Sequence, residues 1–92
     1  MAVEYTWDAK KAASNLRKHG VSFEEAVTVF GDPLAAVVSD ATYADRSVLI
    51  GISVSRRVLF TVFLEVSEET IRIISARRAT AHERRRYEEG AF

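Results

Sequence analysis

Between Phe30 and Leu34 the spacing of apolar residues changes from that of a helix to that of a sheet. Phe23, Ala26, Val27 and Phe30 recur at i, i+3, i+4 and i+7 behind Ser22 and Glu25, an S-x-x-E capping box, with Val21 and Ala26 placed as a hydrophobic staple. Gly31, Asp32 and Pro33 end this helix, because proline restricts the residue before it and cannot continue the backbone ladder. From Leu34 onward the period is that of strands, expected at 34–39, 47–54, 57–66 and 70–77 with short connections. Val48, Ile50, Ile52 and Val54 share one parity, as do Val58, Phe60, Val62, Leu64 and Val66, whereas Leu49, Leu59, Phe63 and Ile74 occupy the other. Both faces of such a sheet are partly apolar and both need covering.

Either side of this core lie further helix signals. Val3 to Trp7 alternate and suit a short edge strand; Asp8 then caps a helix running to about Lys18, with Ala9, Ala12, Ala13 and Leu16 as its apolar stripe. Gly20 follows as the left-handed stop, and Arg17, Lys18 and His19 sit at the negative end of the helix dipole. At the other end of the chain Thr80 and Glu83 form a second capping box, opening a charged helix through about Glu89 with little apolar surface beyond Tyr87. The expected class is α+β: two N-terminal helices packed on a four-stranded antiparallel meander, with a C-terminal helix. Ninety-two residues leave room for a single domain over 1–92.

Composition narrows the chemistry. Thirteen Lys plus Arg balance thirteen Asp plus Glu, so only the distribution of charge can point to a polyanion. Cysteine is absent, which excludes disulfides, thiolate metal sites and a Cys nucleophile, and suits a reducing compartment. Glu4 and Asp8 stand where a signal peptide would be cationic and then apolar, and no apolar run approaches the ~20 residues of a membrane span. A cytoplasmic protein with no membrane contact is expected. No HExxH or carboxylate cluster suggests a metal, and no cofactor motif is present.

A meander places alternate turns at the same end of the sheet. The Arg56–Arg57 turn between the second and third strands should therefore gather with Arg77–Arg78 at the close of the fourth. The first turn of the last helix, with His82 and Glu83, joins them, and Arg84, Arg85 and Arg86 follow. Guanidinium forks bind phosphate oxygens bidentately and a helix start adds backbone donors, so this end suits a polyanion. The plainer reading is solvated surface, with Glu83, Glu88 and Glu89 in ion pairs along the helix. Strict alternation puts Arg72 and Arg77 on opposite faces of their strand.

Two separated strings, WDAKKAASNLRKHGVSFEEAVTVF and IRIISARRATAHERRRYEE, closely resemble the BrnT family of type II toxin–antitoxin toxins, small ribonucleases with a RelE-like fold. The resemblance extends over nearly the whole chain. It implies RNA cleavage that arrests growth, and neutralisation by a BrnA-type antitoxin with a ribbon-helix-helix DNA-binding fold. It implies also that the complex, through its antitoxin, binds operator DNA and represses the operon. The family's Trp-Asp start matches Trp7 and Asp8, and its Lys-His-Gly matches Lys18, His19 and Gly20. Its strand-ending arginine matches Arg77, with Glu83 and Arg84 beyond.

Cleaving RNA without metal takes a base for the 2′-OH, a cation for the phosphorane-like state and an acid for the leaving 5′-oxygen. Arg77 is expected to stabilise the phosphate, assisted by Arg57 or Arg72, while His82 or Tyr87 carries a proton. Arg56, Arg78, Lys18 and His19 are expected to bind RNA. Duller roles compete: Glu83 as a cap, Tyr87 as an anchor for the last helix, Trp7 as core, His82 as ordinary surface. A simple helix hairpin would put His19 at the end of the sheet opposite Arg77. The second reading is a non-catalytic basic module that binds a partner protein or nucleic acid.

Overall fold

The computed structural model describes residues 2–92. Its elements are β1 (Glu4–Thr6), α1 (Ala9–His19), α2 (Phe23–Thr28) with a 3-10 turn (Val29–Gly31), β2 (Ala36–Ser39), β3 (Ser47–Ile52), β4 (Val58–Ser67), β5 (Thr70–Arg78) and α3 (Ala81–Glu88). The class is α+β, but the sheet is five-stranded and mixed, in the order β1-β5-β4-β3-β2. The expected meander forms its antiparallel part, and β1 adds a parallel strand beside β5 through Glu4–Thr70, Tyr5–Ile71 and Thr6–Arg72. Alternation alone marks Val3 to Trp7 as extended; which strand it joins depends on how the chain returns sixty-odd residues later.

Local signals hold where they are self-contained. The Asp8 carboxylate accepts from the amides of Lys10 at 2.7 Å and Lys11 at 3.1 Å, and Gly20 closes α1 in the left-handed region at φ 67°. Thr80 and Glu83 form a complete reciprocal box at the start of α3. The box at α2 is only half formed: Ser22 accepts from the Glu25 amide at 3.0 Å, but the Glu25 carboxylate turns away to distant partners described below.

The face of α1 that meets the sheet differs from the expected stripe. Leu16 is half exposed, while Asn15 is buried. Its amide donates to Ala76 O at 2.8 Å and Val21 O at 3.0 Å, and its carbonyl accepts from Ala76 N at 3.1 Å. The Asn15 side chain thus completes the β5 edge as a strand neighbour would, just beyond where the three-residue β1 ends. Rather than packing flat on the sheet, α1 continues the path of β1 along β5.

One face of the sheet carries Leu49, Leu59, Phe63, Ile73 and Ala76 against α2, with Trp7 edge-on to Phe23 at 5.9 Å and Phe30 edge-on to Phe63 at 5.2 Å. Trp7 is therefore a core-side aromatic. The other face carries Val48, Ile50 and Val62, bordered by Val58, Phe60, Ile74 and Tyr87. Ile74 lies on the face opposite to that expected, because β5 bulges there: Val62 pairs with Ser75 and Phe63 with Ile73, leaving Ile74 as the extra residue.

Candidate RNA-binding end of the sheet

The bulge also reassigns the arginines. Arg77 pairs with Phe60, Ser75 with Val62 and Arg72 with Leu64, all one parity of β4. Arg72, Ser75 and Arg77 therefore share a face, against the separation that strict alternation predicts. Four residues still lie between the two arginines along β5, a span of about 15 Å. Arg72 borders the N-terminus of α1, where Asp8 is held ionised chiefly by the amides of Lys11 and Lys10 and, less strongly, by the charges of Lys11 and Arg72.

The Arg56–Arg57 turn and the end of β5 do meet, with Leu59 opposite Arg78 and Val58 O accepting from Ala79 N at 2.9 Å. The guanidinium groups nevertheless diverge across the sheet. On the α2 face, Arg57 donates to both Glu25 carboxylate oxygens, through Nε at 2.9 Å to Oε2, and to Gly20 O at 3.0 Å. Ser53 Oγ adds a bond to the same carboxylate at 2.7 Å. Arg57 first, then Ser53 and the charge of Arg78, hold the Glu25 carboxyl below its ordinary range against the opposing effect of burial.

On the opposite face Arg77 makes a fork with Glu83, at 2.8 and 3.0 Å, and lies 3.9 Å above the Phe60 ring. The same carboxylate accepts from the Thr80 amide at 2.8 Å, so Glu83 both caps α3 and holds Arg77. Arg77 chiefly, with help from Thr80, lowers the Glu83 carboxyl below the usual range although burial opposes it. The Glu25 and Glu83 roles across the fold escaped sequence reasoning, since a capping position predicts only a local partner.

Tyr87 is committed elsewhere. Its hydroxyl donates to Asp32, and burial together with that carboxylate pushes its pKa up to about 12. Burial opposes ionisation of Asp32, yet the amides of Ile52 and Leu34, both at 2.9 Å, and the Tyr87 hydroxyl hold its carboxyl below the ordinary range. This contact moors α3, which has no fully buried residue of its own, to the loop after α2. His82 is exposed on the first turn of α3, adjacent to Glu83.

His19 is not at the far end of the sheet. Gly20, its neighbour, accepts from Arg57, and α1 runs beside β5 toward the arginine end because β1 is parallel to β5. Arg56 projects from the β3–β4 turn with φ 61°, a left-handed conformation that an L-residue adopts at a cost of order 1 kcal/mol. Among the described residues the ion pairs within 4 Å are Arg57–Glu25 and Arg77–Glu83, so Arg56, Arg72, Arg78, Lys18 and Lys11 make no direct ion pair, although Arg72 and Lys11 act on Asp8 and Arg78 on Glu25 at longer range. Among the same residues no group of three His, Asp or Glu side chains is arranged to hold a metal, and no helix is long and apolar enough to cross a membrane.

The fold and this charge distribution define a small α+β protein whose free cations gather around β5 and the turns at one end of its sheet. A family model described as the ribonuclease toxin BrnT of type II toxin-antitoxin systems matches residues 7–83, and the chain belongs to that family. The crystal structure of the Brucella abortus ribonuclease toxin BrnT, solved at 1.1 Å, is similar with a TM-score of 0.70 and 28% identity, covering 86% of this chain and 99% of that one. No curated protein matches. The chain is thus a toxin of the type II toxin–antitoxin class, a ribonuclease by family, and a system of that type pairs its toxin with an antitoxin.

Proposed function

We propose that residues 1–92 act as one toxin domain, a metal-independent endoribonuclease that cleaves RNA by 2′-OH attack and arrests growth. The observation that carries this reading is Arg77, preorganised by Phe60 and Glu83 at the start of α3 on a sheet end rich in free cations. In the cleavage step the guanidinium exchanges Glu83 for a phosphate oxygen and stabilises the developing charge, while Arg56 and Arg78 at the rim contact the strand. His82 or His19 carries the proton; Tyr87 and Arg57, hydrogen-bonded to Asp32 and Glu25, support the frame. A BrnA-type ribbon-helix-helix antitoxin neutralises the enzyme, and the pair represses its operon in the cytoplasm.

One observation favours a non-catalytic binding module: Arg57 and Arg77 both face carboxylates already. Expression separates the two readings. The ribonuclease arrests growth when produced alone and is rescued by its antitoxin; Arg77→Ala lowers RNA cleavage about 100- to 1,000-fold while the circular dichroism spectrum is unchanged. Undiminished cleavage by Arg77→Ala removes that residue from the mechanism.

A further inference from the structure

The free cations have a concave surface of their own. Lys11, Ser14, Asn15, Lys18 and His19 of α1 and Ile74 and Ser75 of β5 line a cavity of about 210 Å3 on the side of the sheet that carries Arg77. Lys11, Ser14, Asn15 and Lys18 stand at i, i+3, i+4 and i+7, one stripe of α1. Asn15 is bonded to the β5 edge and forms the floor, so the two lysines rise as the wall. No carboxylate lines the cavity. Asp8, which feels the charges of Lys11 and Arg72, is not part of the lining, and its Oδ1 is bonded to two amides.

The β5 bulge aligns this cavity with the strand's cations. Ser75 is on its wall, Arg77 lies two residues further along the same face and Arg72 three residues back. We infer that this groove between α1 and β5 is the seat of the sugar–phosphate backbone of single-stranded RNA leading to Arg77. Lys11 and Lys18 neutralise successive phosphates, and the Ser14 and Ser75 hydroxyls bond phosphate or ribose oxygens. The lining holds no Phe, Tyr or Trp and only the His19 imidazole could stack on a base, so the contact is chiefly with the backbone and largely independent of sequence. The inference rests on the ribonuclease reading above and adds to it the path of the substrate.

Binding is tested with a fluorescein-labelled oligoribonucleotide methylated at every 2′ oxygen, which 2′-OH attack cannot cleave. Its anisotropy is followed over a salt series from about 50 to 200 mM. The Lys11→Gln/Lys18→Gln double variant alters two exposed side chains and keeps the fold. It should weaken binding about tenfold at low salt and lower the slope of log K against log salt by about 1.4, two contacts at about 0.7 each on a single strand. Lys10→Gln, on the same helix but outside the lining, should leave the slope unchanged. An unchanged slope in the double variant, with wild-type protein still cleaving unmodified RNA, overturns the groove and leaves the ribonuclease reading standing. The same unchanged slope with loss of antitoxin affinity makes the groove a protein contact and overturns it equally. Wild-type protein that neither binds nor cleaves RNA overturns both.

Discussion

Thr61 lies in the middle of β4, fully buried between Leu59 and Phe63, and its hydroxyl has no hydrogen-bond partner. A buried hydroxyl without a partner forfeits its hydration with nothing in return, so Thr61→Val, nearly the same shape, should stabilise the protein by about 1 kcal/mol, read as a higher urea midpoint. Gly51 is constrained in the opposite direction. A Cβ there would meet Ala35 Cβ at 2.8 Å, Asp32 Oδ2 at 2.9 Å and Val29 Cγ1 at 2.9 Å. Gly51→Ala is therefore expected to destabilise by about 1–3 kcal/mol and to loosen the Asp32–Tyr87 contact, visible as a lowered thermal midpoint. Neither residue carries a motif. Each is exceptional only through neighbours brought from other elements.

Among the elements, α1 has the most unusual attachment, since a polar side chain completes the sheet edge. Asn15→Ala removes three hydrogen bonds and leaves the Ala76 amide and carbonyl unpaired in a buried setting. The expected loss is about 2–4 kcal/mol, and the Ala76 amide should exchange with solvent far faster than its neighbours in β5. A loss confined to a few tenths with unchanged exchange would show that water replaces the side chain. The apolar count of α1 favours Leu16 as the buried residue, and the structure exposes it. Periodicity weighs transfer from water and cannot register that one strand edge lacks a neighbour at Ala76. The helices with self-contained caps, by contrast, begin where the residues say.

For the whole molecule, three depressed carboxylates on different elements link stability to pH. Glu25 and Glu83 lie below their ordinary 4.5 and Asp32 below 3.8. A group whose folded pKa is lowered contributes fully above its unfolded value and loses that contribution as pH falls through the folded one. Tyr87, raised from 10.0 to about 12, contributes below 10.0 and loses it on the way to 12. Urea midpoints should therefore form a plateau from about pH 5 to pH 9 and decline on both sides. Replacing Glu25 and Glu83 by Gln should flatten the acid limb; an acid limb as steep as before would assign it to other carboxylates.

The chain by itself determines the α+β class, the caps at Asp8 and Thr80, the stop at Gly20 and the meeting of the Arg56–Arg57 turn with the end of β5. Each of these is written within one turn or one strand, or in the order of strands, where chain connectivity leaves few choices. Tertiary structure alone decided which arginines are compensated, because Arg57 and Glu25 are 32 residues apart and meet only when α2 settles on the sheet. It decided also that Arg72 and Arg77 share a face, since one bulged residue inverts the parity of everything beyond it. Finally, it set Lys18 and His19 beside β5, because β1 pairs in parallel and α1 inherits its direction. Basic residues that the sequence only clusters are thereby sorted into paired arginines that hold the frame and cations without a direct ion pair, of which Lys11 and Lys18 line a groove.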